Sequence, residues 1–303
     1  MDQLLKNDKE DLELAERYGV SVISYQDSRY PKKLLSLRNF PPLLYVKGEL
    51  LPEDEVAIGV IGTRNATLYG KEMAERVGGE LAERGICVVS GLARGIDTAA
   101  HRGALRKGRT IAVIGSGLAN IYPKENQGLA DEVAAHGAVI SEFPMATPPL
   151  RQNFPRRNRL ISGLAMGLCL VESPLKGGGM ITMEMGQKQG KKLFAFPGRV
   201  DWPTFEGNHR LIKEEKAKLV TNGREIAAYF SLDQNIFRPS FTVVLTEEEK
   251  KFLALIPPEE TTIEELALLT QLPAMKLNVL LTRMVLKKTM KEFPGKIYKK
   301  ALI

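Results

Sequence analysis

From Val56 onward the chain repeats one pattern: short apolar runs (VAIGVIG, ICVVS, TIAVIG, AVISEF, LCLVES, LFAFP) alternate with longer segments of helical spacing. Each run reads as a buried strand and each intervening segment as a crossover helix. Residues 56 to about 230 are therefore expected to form βαβ units around a mostly parallel sheet. The first intervening helix, from about Tyr69 to Arg84, places Met73, Ala74, Val77 and Leu81 on one stripe and stops at Gly85, a residue suited to a C-cap. That stripe should pack against the sheet.

Ahead of this region lie about 50 residues in which a short helix is followed by a stretch whose Pro31, Pro41 and Pro42 exclude long helices. This preface should dock on the main domain through Leu43, Leu44, Tyr45 and Val46. After Ser231 the rhythm changes. TEEEKKFLALI, TTIEELALLT and LPAMKLNVLLTRMVLKKTM read as three helices, and EFPGKIYKK as a turn between short strands, which suggests a winged helix-turn-helix. The expected division is a short N-terminal segment over 1–50, an α/β domain over 51–232, a linker over 233–240 and a winged-helix domain over 241–303.

The chain has 303 residues, 44% of them hydrophobic, which is ordinary for a globular protein. A net charge of +7 favours polyanionic partners. The N-terminus is acidic and helix-like, and no later stretch reaches 18 uninterrupted apolar residues, so a cytoplasmic protein with no membrane span is expected. The two cysteines, Cys87 and Cys169, sit inside apolar runs and read as core thiols.

In an open parallel sheet, ligands bind beyond the carboxyl ends of the strands, so the residues after each run carry the information. They are Gly62-Thr63-Arg64-Asn65, Ser90-Gly91-Leu92-Ala93-Arg94-Gly95-Ile96-Asp97, Gly115-Ser116-Gly117, Ser173-Pro174-Leu175-Lys176-Gly177-Gly178-Gly179 and Pro197-Gly198-Arg199. Glycine lets a backbone approach an anion, and each following helix adds the positive end of its dipole. Tight-turn chemistry alone explains any one such loop. Five together, four of them with Arg or Lys, predict a phosphate-binding edge.

The fourth run leads into a segment, Phe143 to Val171, without Asp or Glu, in which Arg151, Arg156, Arg157 and Arg159 cluster within RQNFPRRNR. Solvated charged faces usually mix both signs, so guanidiniums with no local carboxylate predict a polyanion site. Phe154 offers a face on which an unpaired base can stack, although a core role is equally open to it. Asn153 and Asn158 can meet phosphate or base edges. Asp97 and Glu142 are expected to orient loop backbone and arginines rather than to act as acid or base, and Glu172 and Glu184 are the other carboxylates near this edge.

Cofactor and catalytic signatures are missing. Gly59 and Gly62 lead into Thr63-Arg64 instead of completing G-x-G-x-x-G, Gly115-Ser116-Gly117-Leu118-Ala119-Asn120 lacks a third glycine, and there is no Walker motif. His101, His136 and His209 lack metal-ligand spacing, and there is no G-x-S-x-G elbow. No cofactor, metal or catalytic residue is expected.

IGTRNATLYG, SGLARGIDTAAHRGAL, TIAVIGSGLANIYPKEN, ISEFP, FPRRNRLISGL, KGGGMITMEMGQKQGKKLFAFPGRVD and GNHRLIKE closely resemble the DNA processing protein A family, also called Smf, of bacterial natural-transformation proteins. The resemblance runs from about Val20 to Val220. It implies a Rossmann-like domain that binds single-stranded DNA, dimerises through that domain and helps load the RecA recombinase, with single-strand-binding protein as a further candidate partner. Its DNA-contacting positions fall on Arg64, Arg94, Arg156, Arg157 and Lys176, with Gly177, Gly178 and Thr182 of the adjoining KGGGMIT stretch joining the phosphate-binding set. Many relatives carry an N-terminal domain of sterile-alpha-motif type, of which residues 1–50 match only the last part.

Two other functions are open to the sequence. GGGMITMEM is similar to the P-G-G-x-G-T-x-x-E loop of phosphoribohydrolases acting on nucleoside monophosphates, but lacks the first Pro and has Glu184 one position early. A transcription regulator would use Lys287, Lys288, Lys291, Lys296, Lys299 and Lys300 around the last helix, whose many apolar residues (Leu277, Val279, Leu280, Leu281, Met284, Val285, Leu286) argue instead for core or interface.

Overall fold

A computed structural model describes residues 2–232, 246–257, 259–286 and 289–300. The chain divides into two compact units, Met1–Pro239 and Ser240–Ile303. The expected linker over 233–240 lies outside the described residues, as do Lys287 and Lys288.

The first unit has strands β1 (Val20–Ser24), β2 (Leu43–Gly48), β3 (Ala57–Ile61), β4 (Cys87–Ser90), β5 (Thr110–Val113), β6 (Ala138–Ser141), β7 (Gly167–Leu170), β8 (Lys192–Ala195) and β9 (Lys218–Leu219). Its helices are α1 (Asp2–Arg17), α2 (Leu68–Ala82), α3 (Ile96–Leu105), α4 (Gln127–His136), α5 (Asn153–Leu164), α6 (Gly178–Lys188), α7 (Glu206–Lys213) and α8 (Gly223–Tyr229). The sheet order is β1-β2-β6-β5-β4-β3-β7-β8-β9. All six apolar runs became strands, β3 to β8, with parallel neighbours along the row. The order reverses between β3 and β7, as in a doubly wound sheet.

Successive side chains on a strand point to opposite faces, so each run supplies two cores. From β3, Ala57 and Ile61 join Leu160, Ile161 and Leu164 of α5 and Met180 and Met183 of α6. Ile58 and Val60 face the other way, onto Ala74, Val77 and Leu81 of α2 and Ala100 and Ala104 of α3. The α2 stripe therefore packs as its spacing predicts, with Met73 at the rim of the cluster. Thr67 starts this helix by accepting from the Gly70 N–H. Burial of each large apolar side chain contributes about 1.5–3 kcal/mol, so a carboxylate at Val77 would disrupt the α2 face.

The preface does more than dock. Leu43–Gly48 forms β2, antiparallel to β6, with Tyr45 opposite Ser141 and Val46 opposite Ile140, and β1 pairs outside it. Leu44 and Val46 enter one core cluster while Tyr45 enters the one opposite, so period-two alternation fixes the register.

The second unit has helices α9 (Glu247–Leu255), α10 (Ile263–Thr270) and α11 (Ala274–Leu286) and strands β10 (Thr261–Thr262), β11 (Met290–Phe293) and β12 (Ile297–Lys300) in an antiparallel sheet ordered β10-β12-β11. Thr246 and Thr262 form capping boxes with Glu249 and Glu265 at the starts of α9 and α10. Leu277, Leu280, Leu281 and Met284 of α11 are core, packed with Phe252, Leu266 and Tyr298, while Val279 of the same helix is exposed. None of the described helices is long and apolar enough to cross a membrane.

Candidate functional site

The carboxyl edge of the sheet holds a pocket of about 170 Å³, lined among others by Arg64 after β3, Gly91 and Arg94 after β4, Tyr122 after β5, and Phe154 and Arg157 on α5. At the reversal of strand order the loops after β3 and β7 are tied together, the Thr63 N–H donating to the Glu172 carbonyl at 2.8 Å. Phe154 is half-buried. The Arg64 guanidinium carbon sits 5.0 Å from its ring centroid and the Tyr122 ring 5.8 Å away. An exposed cation therefore lies over an aromatic face at the pocket mouth. Gly115 makes room beneath, since a Cβ there would come 2.9 Å from the Phe154 Cδ1.

Arg157 forms the floor and is buried. Its Nη1 donates to the Gly91 carbonyl at 2.7 Å and to the Val113 carbonyl, and its Nε donates to Asn158 Oδ1 at 3.1 Å. The buried Asp97 carboxylate accepts from the Gly91 and Ala93 N–H groups at 3.1 and 3.4 Å. A Cβ on Gly91 would lie 2.6 Å from Asp97 Oδ2 and 2.7 Å from both terminal nitrogens of Arg157, so only glycine admits this approach. Burial pushes the Arg157 guanidinium down to about 10, offset by the Asp97 charge, and raises the Asp97 carboxyl against the opposing pull of Arg157. Beside them, burial and the Arg157 charge push His101 down to about 3, so its ring is neutral and its Nδ1 lies 2.7 Å from Thr110 Oγ1.

Glu142 corrects the expectation of arginines without a local carboxylate. It stands one residue before the acid-free window, and its Oε2 accepts from Arg159 and, at 3.2 Å, from the Arg156 Nε. Two of the four guanidiniums therefore have their repulsion relieved by one buried carboxylate. The second role expected of Glu142, orienting arginines, is the one its contacts match, and Asp97 orients loop backbone in the same way. Arg156 lies over the Phe143 ring at 5.3 Å.

The family model described as DNA recombination-mediator protein A matches residues 21–231. The chain belongs to that family. It is 44% identical over 199 residues to Protein Smf of Escherichia coli, a match covering 65% of this chain and 53% of that protein, so the chain spans about half the length of that relative. Against the DNA processing protein DprA of Bacillus subtilis it is 40% identical over 210 residues, covering 69% of this chain and 70% of the relative. The solved structure of DNA processing protein A from Streptococcus pneumoniae superposes with a TM-score of 0.67 at 39% identity, covering 72% of this chain and 77% of that one. The Helicobacter pylori protein, whose structure was described for its single-stranded DNA binding mode, superposes at 0.65 with 30% identity, covering 71% and 97%.

In this member of the family the sequence-selected residues separate into two groups. Arg64, Arg94, Arg151, Arg156 and Lys176 are exposed, Arg94 in an ion pair with Glu125 that raises the one and lowers the other. Most of the others are engaged within the fold, Phe154 in the pocket and the glycines at 177 and 178 apart. Arg157 and Asn153 are buried, and Arg159 is half-buried on Glu142. Ser90 Oγ donates to the Val60 carbonyl at 2.6 Å and Thr182 Oγ1 to the Gly178 carbonyl at 3.1 Å. Several loop amides are also satisfied internally: Gly91 by Asp97, Thr63 by Glu172 and Gly117 by the Thr147 carbonyl. The glycines at 62, 91, 95, 115 and 117 thus serve close backbone packing; a Cβ at Gly95 would meet the Thr63 carbonyl at 2.4 Å and one at Gly117 the Met145 carbonyl at 2.1 Å. Gly177 is half-buried and Gly178 exposed, with open space where a Cβ would point from Gly178.

Glu172 is buried and caps α2, its Oε2 accepting from the Thr67 N–H at 3.0 Å and hydroxyl at 2.8 Å. Tyr122 and Pro123 line the pocket without having been singled out. The signal was present in IYPKEN, an aromatic residue followed by proline beyond the third run. Among the described residues, no group of three or more His, Cys, Asp or Glu is placed to hold a metal ion.

Proposed function

We propose that the chain binds single-stranded DNA along the carboxyl edge of its sheet and delivers the strand to the RecA recombinase during DNA uptake and recombination. The observation that carries this reading is the Arg64–Phe154 pair above the Arg157 floor. A cation for the phosphates stands beside a ring for a base, and a ring in so small a pocket reaches a base face only where that face is not covered by duplex stacking. The lining contains arginines, an aromatic pair and an asparagine but no carboxylate, which favours binding over hydrolysis. Exposed Arg94, Arg156 and Lys176 extend the positive edge. The recombinase step is supported by the family's description as recombination mediators, and a homodimer built through the α/β unit by the resemblance of its motifs alone.

Fluorescence anisotropy of a labelled oligothymidylate and of a blunt duplex, each across a salt series, tests the DNA reading; equal affinity for the two would sink it. RecA filament growth on a strand covered with single-strand-binding protein tests the delivery step. Unchanged growth on adding the chain would remove delivery and leave DNA binding standing. Light scattering reports the dimer separately.

A further inference from the structure

A second cleft of about 380 Å³ lies on the other side of α5, lined by Phe40, Pro41, Pro42, Glu142, Arg156 and Arg159 among others. Helical geometry turns Phe154 and Arg157 toward the first pocket and Arg156 and Arg159 toward this one, about one helix width, roughly 10 Å, apart. The Glu142 side chain is only 1% exposed. Its Oε2 holds both arginines, but among the described residues its buried Oε1 has no partner, and neither has the buried Nη1 of Arg159. A buried carboxylate oxygen and a buried guanidinium nitrogen, each lacking one hydrogen bond, belong to two residues that line a single cleft.

These two atoms define their guest. A phosphate offers only acceptors and would suit Arg159 while being repelled by Glu142. An amine would suit Glu142 and be repelled by Arg156 and Arg159. A neutral, flat group with a donor beside an acceptor satisfies both, and the Phe40 ring and two prolines supply apolar walls for it. Nucleobases carry that pair on the Watson–Crick edge: N3–H beside O4 in thymine, N4–H beside N3 in cytosine, N1–H beside O6 in guanine, N6–H beside N1 in adenine. We propose that this cleft seats one unpaired base of the bound strand by its Watson–Crick edge, with Glu142 Oε1 accepting from the base and Arg159 Nη1 donating to it. The inference rests on the single-strand reading above and deepens it. The edge engaged is the one a duplex uses for pairing, so the cleft rejects paired DNA by hydrogen bonding, independently of stacking on Phe154.

The test changes the ligand and leaves the full chain intact. Affinities are compared for an oligothymidylate and for the same oligomer methylated at N3 of every thymine, which removes the donor and leaves phosphates and ring faces in place. The methylated strand is expected to bind about tenfold more weakly or worse, and Glu142→Gln to shrink that ratio. A photoreactive 4-thiothymidine oligomer should crosslink to the Phe40-Pro41-Pro42 turn, which checks the location without any substitution. Equal affinity for both oligomers, or crosslinks confined to the Phe154 pocket, would overturn the cleft while the single-strand reading survives. Crosslinking at the turn by 4-thiothymidine monophosphate but not by the oligomer would likewise overturn it, assigning the cleft to a free nucleotide. An unmodified oligomer that fails to bind at low salt would overturn the single-strand reading itself.

Discussion

Arg157→Ala separates holding the site together from touching the strand. The guanidinium is buried, donates to two loop carbonyls and faces the buried Asp97 carboxylate across Gly91. Removing one side of such a pair costs about 3–5 kcal/mol, because the remaining charge is left without compensation. The loss should depend on pH. Burial already raises the Asp97 carboxyl, and the Arg157 charge is the largest influence opposing that rise; without it the carboxyl moves further up. A carboxyl whose folded pKa exceeds its unfolded value of about 3.9 contributes stability that is fully present below 3.9 and lost as pH rises through the folded value. The variant's deficit should therefore be larger near pH 8 than near pH 5. Arg157 itself, at about 10, stays charged across that window in the parent protein. Urea unfolding followed by the single tryptophan, Trp202, which lies in the α/β unit, measures the difference at each pH. A deficit below about 1 kcal/mol, or one that is the same at both pH values, would refute the coupling between Arg157 and Asp97.

Arg64→Ala, at an exposed position, should change stability by no more than about 0.5 kcal/mol yet flatten the log–log salt dependence of oligothymidylate binding by about 0.7. An unchanged slope would take Arg64 off the list of phosphate contacts. Gly91→Ala should destabilise the unit by about 1–3 kcal/mol, since the added Cβ meets two buried charged groups whose hydrogen bonds a shift would disturb. A thermal melt matching the parent would show that the loop yields. Deleting residues 240–303 should preserve single-strand affinity, because both clefts are built within the first unit; a large loss would bring the second unit into the site. Incubation with purine and pyrimidine monophosphates should release no base, and release would revive the phosphoribohydrolase reading.

The strands were legible because each is buried on both faces and therefore apolar without interruption. The preface was less so: β2 is an antiparallel strand between β1 and β6, preceded by prolines, and its partner β6 lies about 90 residues away, beyond the reach of any local pattern. The arginine segment shows where composition stops and periodicity takes over. Counting charges ranks Arg156 and Arg157 as equivalent. Helical spacing does not, because Asn153, Arg157, Leu160, Ile161 and Leu164 fall at i, i+4, i+7, i+8 and i+11, the stripe that α5 turns to the sheet. Arg157 is thus the polar member of a core face, whereas Arg156 points outward.

That distinction changes what the acid-free stretch means. A run of arginines can attract a polyanion only through the members left in water, and the inward ones need partners supplied from elsewhere in the chain. Here the Gly91 and Val113 carbonyls accept from Arg157, with the Asp97 charge opposite it, and Glu142, one residue before the stretch, accepts from Arg159. Backbone carbonyls hold Arg157 and the Glu142 carboxylate holds Arg159 and Arg156, so α5 presents its cations and the Phe154 ring from positions tied to the sheet edge. Neutralising Glu142 should for that reason weaken binding of a polyanion even though it removes a negative charge. A surface governed by net charge alone would bind more tightly, and the sign of that single measurement decides between the two.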